Sequence, residues 1–191
     1  MIVEEMGFLP IVRTADIDEG AIGDRTEDPS ELVLELGLAK AAALLPSLRA
    51  EFEEDKLDGA SLLLTGDQVV VHEGRVLEKP ADVDEIRRNI AGYAKSPCQT
   101  VGSVVLTDLK TGKQVSGVDS AEIFFDEIPA DVVTKLCKEG TVFCCAGGLM
   151  VEHELVQPYV KEIRGTIDSV MGLSKPLVLR LVDSLYSVPT S

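Results

Sequence analysis

The sequence predicts an α/β fold, a mixed sheet covered by helices. Three observations carry that prediction. Short apolar, β-branched runs alternate along the chain with stretches of helical periodicity. Two of these runs, Val101 to Leu106 and Val115 to Phe125, flank a turn at Thr111-Gly112 and read as a hairpin. The remaining runs are separated by helical segments, as crossover connections require. The length of 191 residues suits a single domain over residues 1–191. Aromatic residues make up only 4% and Trp is absent, so the core must be built mainly from Leu, Val, Ile and Ala.

In order along the chain, Leu9 to Thr14 reads as a strand. Asp28-Pro29-Ser30-Glu31 then opens a helix: Asp28 caps it, Pro29 suits the first helical position and Glu31 completes a capping box. That helix is apolar around much of its circumference and is expected to stop at Pro46. Gly37 inside it costs about 1 kcal/mol against Ala, which implies close packing there. Arg49 to Lys56 is a charged surface loop or helix end. Ser61 to Val71 is strand-like but broken at Gly66-Asp67-Gln68. Asp82 with Glu85 forms a second capping box, Val83, Ile86 and Ile90 give an apolar face, and Gly92 is placed to end that helix. Pro129 opens a third helix ending near Gly140, and a strand is expected to reach Cys145. Tyr159 to Ile163 is a last strand, and a helix follows Gly172.

The net charge of -15 argues against a nucleic-acid groove, because phosphate backbones are bound by clustered Lys and Arg and no such cluster occurs. No apolar run reaches membrane-spanning length, and the acidic Met1 to Glu5 stretch lacks a signal-peptide layout. With no secretory signal, Cys98, Cys137, Cys144 and Cys145 read as reduced thiols of a cytoplasmic protein. The adjacent pair Cys144-Cys145 reads as two small apolar strand residues in preference to a redox pair.

Four features carry candidate chemistry. Asp16-Ile17-Asp18-Glu19 follows a strand and offers oxygen ligands to a hard divalent ion, although spacing alone favours a solvated turn. Thr65-Gly66-Asp67-Gln68 places a carboxylate between two buried strand runs, and a catalytic or metal role stands level with an ordinary turn. Lys79 in Glu78-Lys79-Pro80 precedes a helix N-terminus, where it opposes the helix dipole. It is either a phosphate-binding point charge or, by base rate, a surface lysine. Gly147-Gly148 permits close backbone approach to a ligand or forms a plain turn. Neither G-x-G-x-x-G nor a Walker loop is present, and His72 and His153 are too isolated for a zinc site.

Taken in order, the chain resembles the Maf family of nucleotide pyrophosphatases. The matching segments are Asp16-Ile17-Asp18-Glu19, Leu38-Ala39-Lys40-Ala41, Gly66-Asp67-Gln68-Val69, Gly74 to Pro80, Ala146-Gly147-Gly148 and Gly165 to Leu173. The resemblance implies an elongated α/β structure with a mixed twisted sheet, flanking helices and a central cleft, often as a homodimer. It implies hydrolysis of a nucleoside triphosphate to monophosphate and pyrophosphate with a divalent metal, Mg²⁺ or Mn²⁺. By resemblance Asp67 is the essential carboxylate that activates water or binds metal. Glu19 is a second metal-side carboxylate, and Lys40 and Lys79 hold phosphates. Gln68 and Glu152 match the branch of the family that takes 7-methyl-GTP, in place of the branch that takes dTTP and UTP.

Family members begin with a strand and a Ser-x-Ser-x-x-Arg-Arg loop, and Met1 to Gly7 resembles only the later part of the helix that follows. The first strand and phosphate loop are therefore missing from the expected pattern, and weak or no activity is expected of this exact chain. A non-catalytic nucleotide-binding or regulatory protein on the same fold is the second expectation.

Overall fold

The computed structural model describes residues 2–54, 56, 61–148 and 150–187. A short helix α1 (Ile2–Glu5) leads into a segment without regular structure. The strand expected over Leu9 to Thr14 is absent: no described strand pairs with it, and Leu9 and Val12 face outward. A strand without a neighbour leaves its backbone groups to water, which gives the extended chain nothing to hold it.

Helix α2 (Pro29–Glu53) starts at the expected cap, with Asp28 Oδ1 accepting from the Ser30 amide at 2.8 Å, while among the described residues the return bond from Glu31 that would complete a capping box is not made. It does not stop at Pro46. The ring removes one amide donor, yet Leu48 and Phe52 beyond it pack with Leu63, Val105 and Leu109. Burial on the sheet outweighs the local break.

The sheet has six strands: β1 (Leu62–Thr65), β2 (Gln68–His72), β3 (Arg75–Leu77), β4 (Cys98–Asp108), β5 (Gln114–Phe125) and β6 (Val160–Arg164). The order is β3-β2-β4-β5-β6, with β1 also on β4. The α/β architecture with flanking helices is the expected one; the mixture of strand directions is not seen, since every described pairing is antiparallel. The 11-residue β4 is the spine: its first half pairs with β2 and its second with β1, on one edge, while β5 runs along the other. The register is unchanged between Thr65↔Val105 and Gln68↔Gly102, so β1 and β2 are one strand line interrupted at Gly66-Asp67.

One sheet face packs on α2, where Val69 and Val101 meet Leu32, Val33 and Leu36. The other carries α3 (Val83–Tyr93) and α4 (Ala130–Glu139), with Ile86, Ile90 and Leu136 closing over Cys98 and Ile123. Asp82 caps α3 through the Glu85 amide at 2.8 Å, and Glu85 reaches back to the Ala81 amide at 2.8 Å. Gly92 does not end α3. It makes room, since a Cβ there would lie 2.7 Å from the His72 ring.

After α4 the expected strand to Cys145 is replaced by 3-10 turns at Thr141–Cys144 and Ala146–Gly148. Gly140 takes a left-handed cap at φ 83°, and Val142 then turns into the core instead of extending. Helices α5 (Ile167–Val170) and α6 (Lys175–Tyr186) finish the described chain. Leu177, Val178 and Leu181 of α6 cover Val104 and Leu106.

Candidate active site

The break between β1 and β2 is made by close packing. A Cβ on Gly66 would stand 2.2 Å from the Ser103 carbonyl oxygen, and one on Gly37 would stand 2.8 Å from Ser103 Oγ. Helix α2 therefore lies tight against the interrupted strand, the close packing that Gly37 predicts. Ser103 fixes the break from three directions. Its amide donates to the Asp67 carbonyl at 2.8 Å, and its hydroxyl accepts from the Asp67 amide at 3.1 Å and donates to the Val33 carbonyl at 2.5 Å. Thr65 Oγ1 adds a bond to the Gly37 carbonyl at 2.8 Å. The backbone of Asp67 is thereby locked to both β4 and α2.

The Asp67 side chain is held from α2. Lys40 Nζ lies 2.6 Å from Asp67 Oδ1 and 2.9 Å from Glu19 Oε1, so one ammonium bridges two carboxylates. Burial pushes the Asp67 carboxyl above its usual range, with the nearby Glu19 adding to the rise. Lys40 and Arg25 oppose it without cancelling it. Burial also works against the charged Lys40, but its hydrogen bonds to Asp67 and Glu19 outweigh that and lift its pKa above the ordinary value. A carboxylate made more basic by burial, beside a cation that stays charged, suits proton removal from water.

Asp67 and Gln68 are consecutive and point to opposite sides of the strand, as β alternation requires. Gln68 lines a cavity of about 300 Å³ on the far face, together with Lys79 and Glu152. Its wall is mostly apolar: Val70, Ile123, Phe125, Val151, Val170 and Met171. Lys79 is thus brought to Gln68 and Glu152. Among the described residues no hydrogen bond or ion pair joins it to the Glu19–Lys40–Asp67 group. Burial, then Glu152 and Cys144, push the Cys145 thiol up, while Lys79 pulls it down, which sets these groups close together on one wall. Cys98 is pushed up to about 12 by burial, so the floor of the cavity carries a neutral thiol.

The glycine pair serves the protein. Gly147 has φ 67°, its amide donates to the Glu78 carbonyl at 3.0 Å and its carbonyl accepts from Tyr93 Oη at 2.8 Å. A Cβ there would meet Tyr93 Oη at 2.5 Å. Backbone approach is used on a tyrosine, which pins the Glu78-Lys79-Pro80 segment beside the cavity.

Sequence reasoning missed Arg25. Its guanidinium donates to the Glu19 carbonyl at 2.7 Å, to the Ile22 carbonyl and to Glu78 Oε1 at 3.0 Å, joining the Glu19 segment to the strand end before Lys79. The only hint was its place as a lone cation among Asp24, Glu27 and Asp28. The histidines are structural: His72 bonds Ser96 and packs edge-on to Tyr93, and His153 bonds Glu139.

Glu19 and Asp67 are hard oxygen donors of the kind Mg²⁺ or Mn²⁺ takes. Among the described residues no three acidic, Cys or His side chains gather as a metal site. Two carboxylates fit an ion shared between protein, water and substrate phosphates better than an all-protein cage.

Fold and site together define an α/β protein with a lysine-bridged carboxylate pair on one side of a broken strand and a mostly apolar cavity on the other. The chain belongs to the Maf-like protein family, whose model matches residues 1–185. It is 36% identical over 181 residues to a 7-methyl-GTP pyrophosphatase of Dictyostelium discoideum, covering 95% of this chain and 89% of that protein. Nucleoside triphosphate pyrophosphatases of Salinispora tropica and Thermosynechococcus vestitus are 30% and 29% identical, each covering 96% of this chain, and 77% and 87% of their own lengths. No helix among the described residues is long and apolar enough to cross a membrane.

Proposed function

We propose that this chain is a nucleoside triphosphate pyrophosphatase with a preference for 7-methyl-GTP. The observation that carries the reading is Lys40 held between Glu19 and Asp67, with Gln68, the next residue, opening into the cavity. Asp67 takes a proton from water as the water oxygen bonds to the α-phosphorus. The bond from that phosphorus to the bridging oxygen breaks, releasing pyrophosphate and leaving the nucleoside monophosphate. Lys40 and Lys79 offset charge on the phosphate oxygens. Glu19 and Asp67 would hold a divalent ion, which supplies further charge neutralisation when bound.

The base is assigned to the cavity. Its apolar wall suits a flat ring, and Glu152 supplies negative charge for a cationic methylated purine. The similarity to the 7-methyl-GTP pyrophosphatase of Dictyostelium discoideum supports the same base. Four free cysteines suit a reducing compartment, and we place the protein in the cytoplasm.

The test is pyrophosphate release from 7-methyl-GTP, GTP, dTTP and UTP with Mg²⁺ or Mn²⁺. The expected result is fastest release from 7-methyl-GTP. A clear lead for UTP or dTTP rejects the base assignment. Nucleotide binding without any release, both from this chain and from one extended by the family's strand and Ser-x-Ser-x-x-Arg-Arg loop, rejects the hydrolase and favours a binding protein.

A further inference from the structure

Gln68, Gly102 and Asp119 form one row across β2, β4 and β5, each directly opposite the next. Directly opposed residues present their side chains to the same face. Gly102 in the middle has none, which leaves a gap between the two polar ends. Ser169 of α5 sits over that gap and bonds both ends. Gln68 Nε2 donates to the Ser169 carbonyl at 2.7 Å, and Ser169 Oγ donates to Asp119 Oδ2 at 2.5 Å. Ser169 is 5% exposed, and its helix has only four residues, too short to hold its own position. The bond to Asp119 is one of two that tie that turn to the sheet at this point, and the one that does not involve Gln68.

A backbone carbonyl only accepts hydrogen bonds, so the NH₂ end of Gln68 must face Ser169. Its Oε1 accepts no hydrogen bond among the described residues. We infer that Ser169 and Asp119 are positioning residues that lock Gln68 with its side-chain carbonyl, and not its NH₂, available to the base. The inference rests on the cavity being the base site. It sharpens what that site reads: with the Glu152 carboxylate, Gln68 makes a pair of acceptors. Two acceptors match the adjacent N1–H and 2-amino donors of a guanine edge. They match poorly the pyrimidine edge of uracil, where one N–H lies between two carbonyls. Freed from Ser169, the Gln68 amide turns over and offers its NH₂ to such a carbonyl.

The experiment is equilibrium binding of 7-methyl-GMP, UMP and ribose 5-phosphate to the parent chain, Ser169→Ala and Asp119→Ala. The parent should bind 7-methyl-GMP best. Each variant should bind 7-methyl-GMP about threefold to tenfold more weakly, the size expected for one hydrogen bond, while UMP binding holds or tightens. Weakening of 7-methyl-GMP that UMP does not share is a signature that simple loosening of α5 does not give. Parallel weakening of both, or no change in either, overturns the positioning role and leaves the hydrolase reading standing. A parent that binds 7-methyl-GMP no better than ribose 5-phosphate removes the base site itself, and the inference with it. Asp119 is half-buried on a strand, so its variant decides the matter if Ser169→Ala does not fold.

Discussion

The two sides of the broken strand are built by different means. On the α2 side, charge is packed against glycine: Asp67 is fixed by Gly66, Gly37 and Ser103, and its side chain is gripped by Lys40 with Glu19. On the other side a mostly apolar wall surrounds three polar groups, Gln68, Lys79 and Glu152. The first arrangement tolerates almost no displacement, which is what bond-making chemistry needs. The second sorts ligands by shape and by a few polar contacts. A single residue step, Asp67 to Gln68, couples them.

Substitutions should separate the two sides, beginning with the most severe. Asp67→Asn keeps the shape and removes the base, and pyrophosphate release should fall about a thousandfold while 7-methyl-GMP still binds. Equal loss of binding would merge the two regions into one. Gly66→Ala drives a Cβ into the Ser103 carbonyl, 2.2 Å away, and should cost about 3 kcal/mol in denaturant unfolding. Unchanged stability would mean that the strand break is loose.

Lys40→Met removes the cation that opposes the upward shift of Asp67. The acid limb of the pH–rate profile should therefore move to higher pH. Stability has the same sign. A carboxyl whose folded pKa exceeds its unfolded value favours the fold when protonated. That contribution is present below the unfolded value and is lost as pH rises through the folded one. Thermal melts at several pH values should show a steeper loss in the Lys40 variant. Glu152→Gln is the mildest: it removes the charge but keeps an oxygen acceptor for the guanine edge, so the preference for 7-methyl-GTP over GTP should drop about tenfold while GTP turnover falls far less.

Much of the sheet was legible in the sequence, because β4 and β5 carry strong strand patterns with a turn between them. The caps at Asp28 and Asp82 were legible too, since capping is a local bond. What failed was decided by tertiary contact. Pro46 reads as a stop until Leu48 and Phe52 are seen buried beyond it. Leu9 to Thr14 reads as a strand until it is seen to lack a partner. At the site, the proximity of Lys40 to Asp67 came from resemblance alone, since 27 positions separate them along the chain. Arg25 and the Ser169–Asp119 bond leave no periodic trace at all, because each joins distant segments through single side chains.

The long β4 strand has a kinetic consequence. It borders β1 and β2 on one edge and β5 on the other, so its amides cannot open without dissolving the sheet. Hydrogen exchange in Val104 to Leu106 should report whole-molecule unfolding. Exchange in the four-residue α5 turn should report far smaller excursions, and the gap between the two rates measures how freely the cavity wall breathes while the surroundings of Asp67 stay shut.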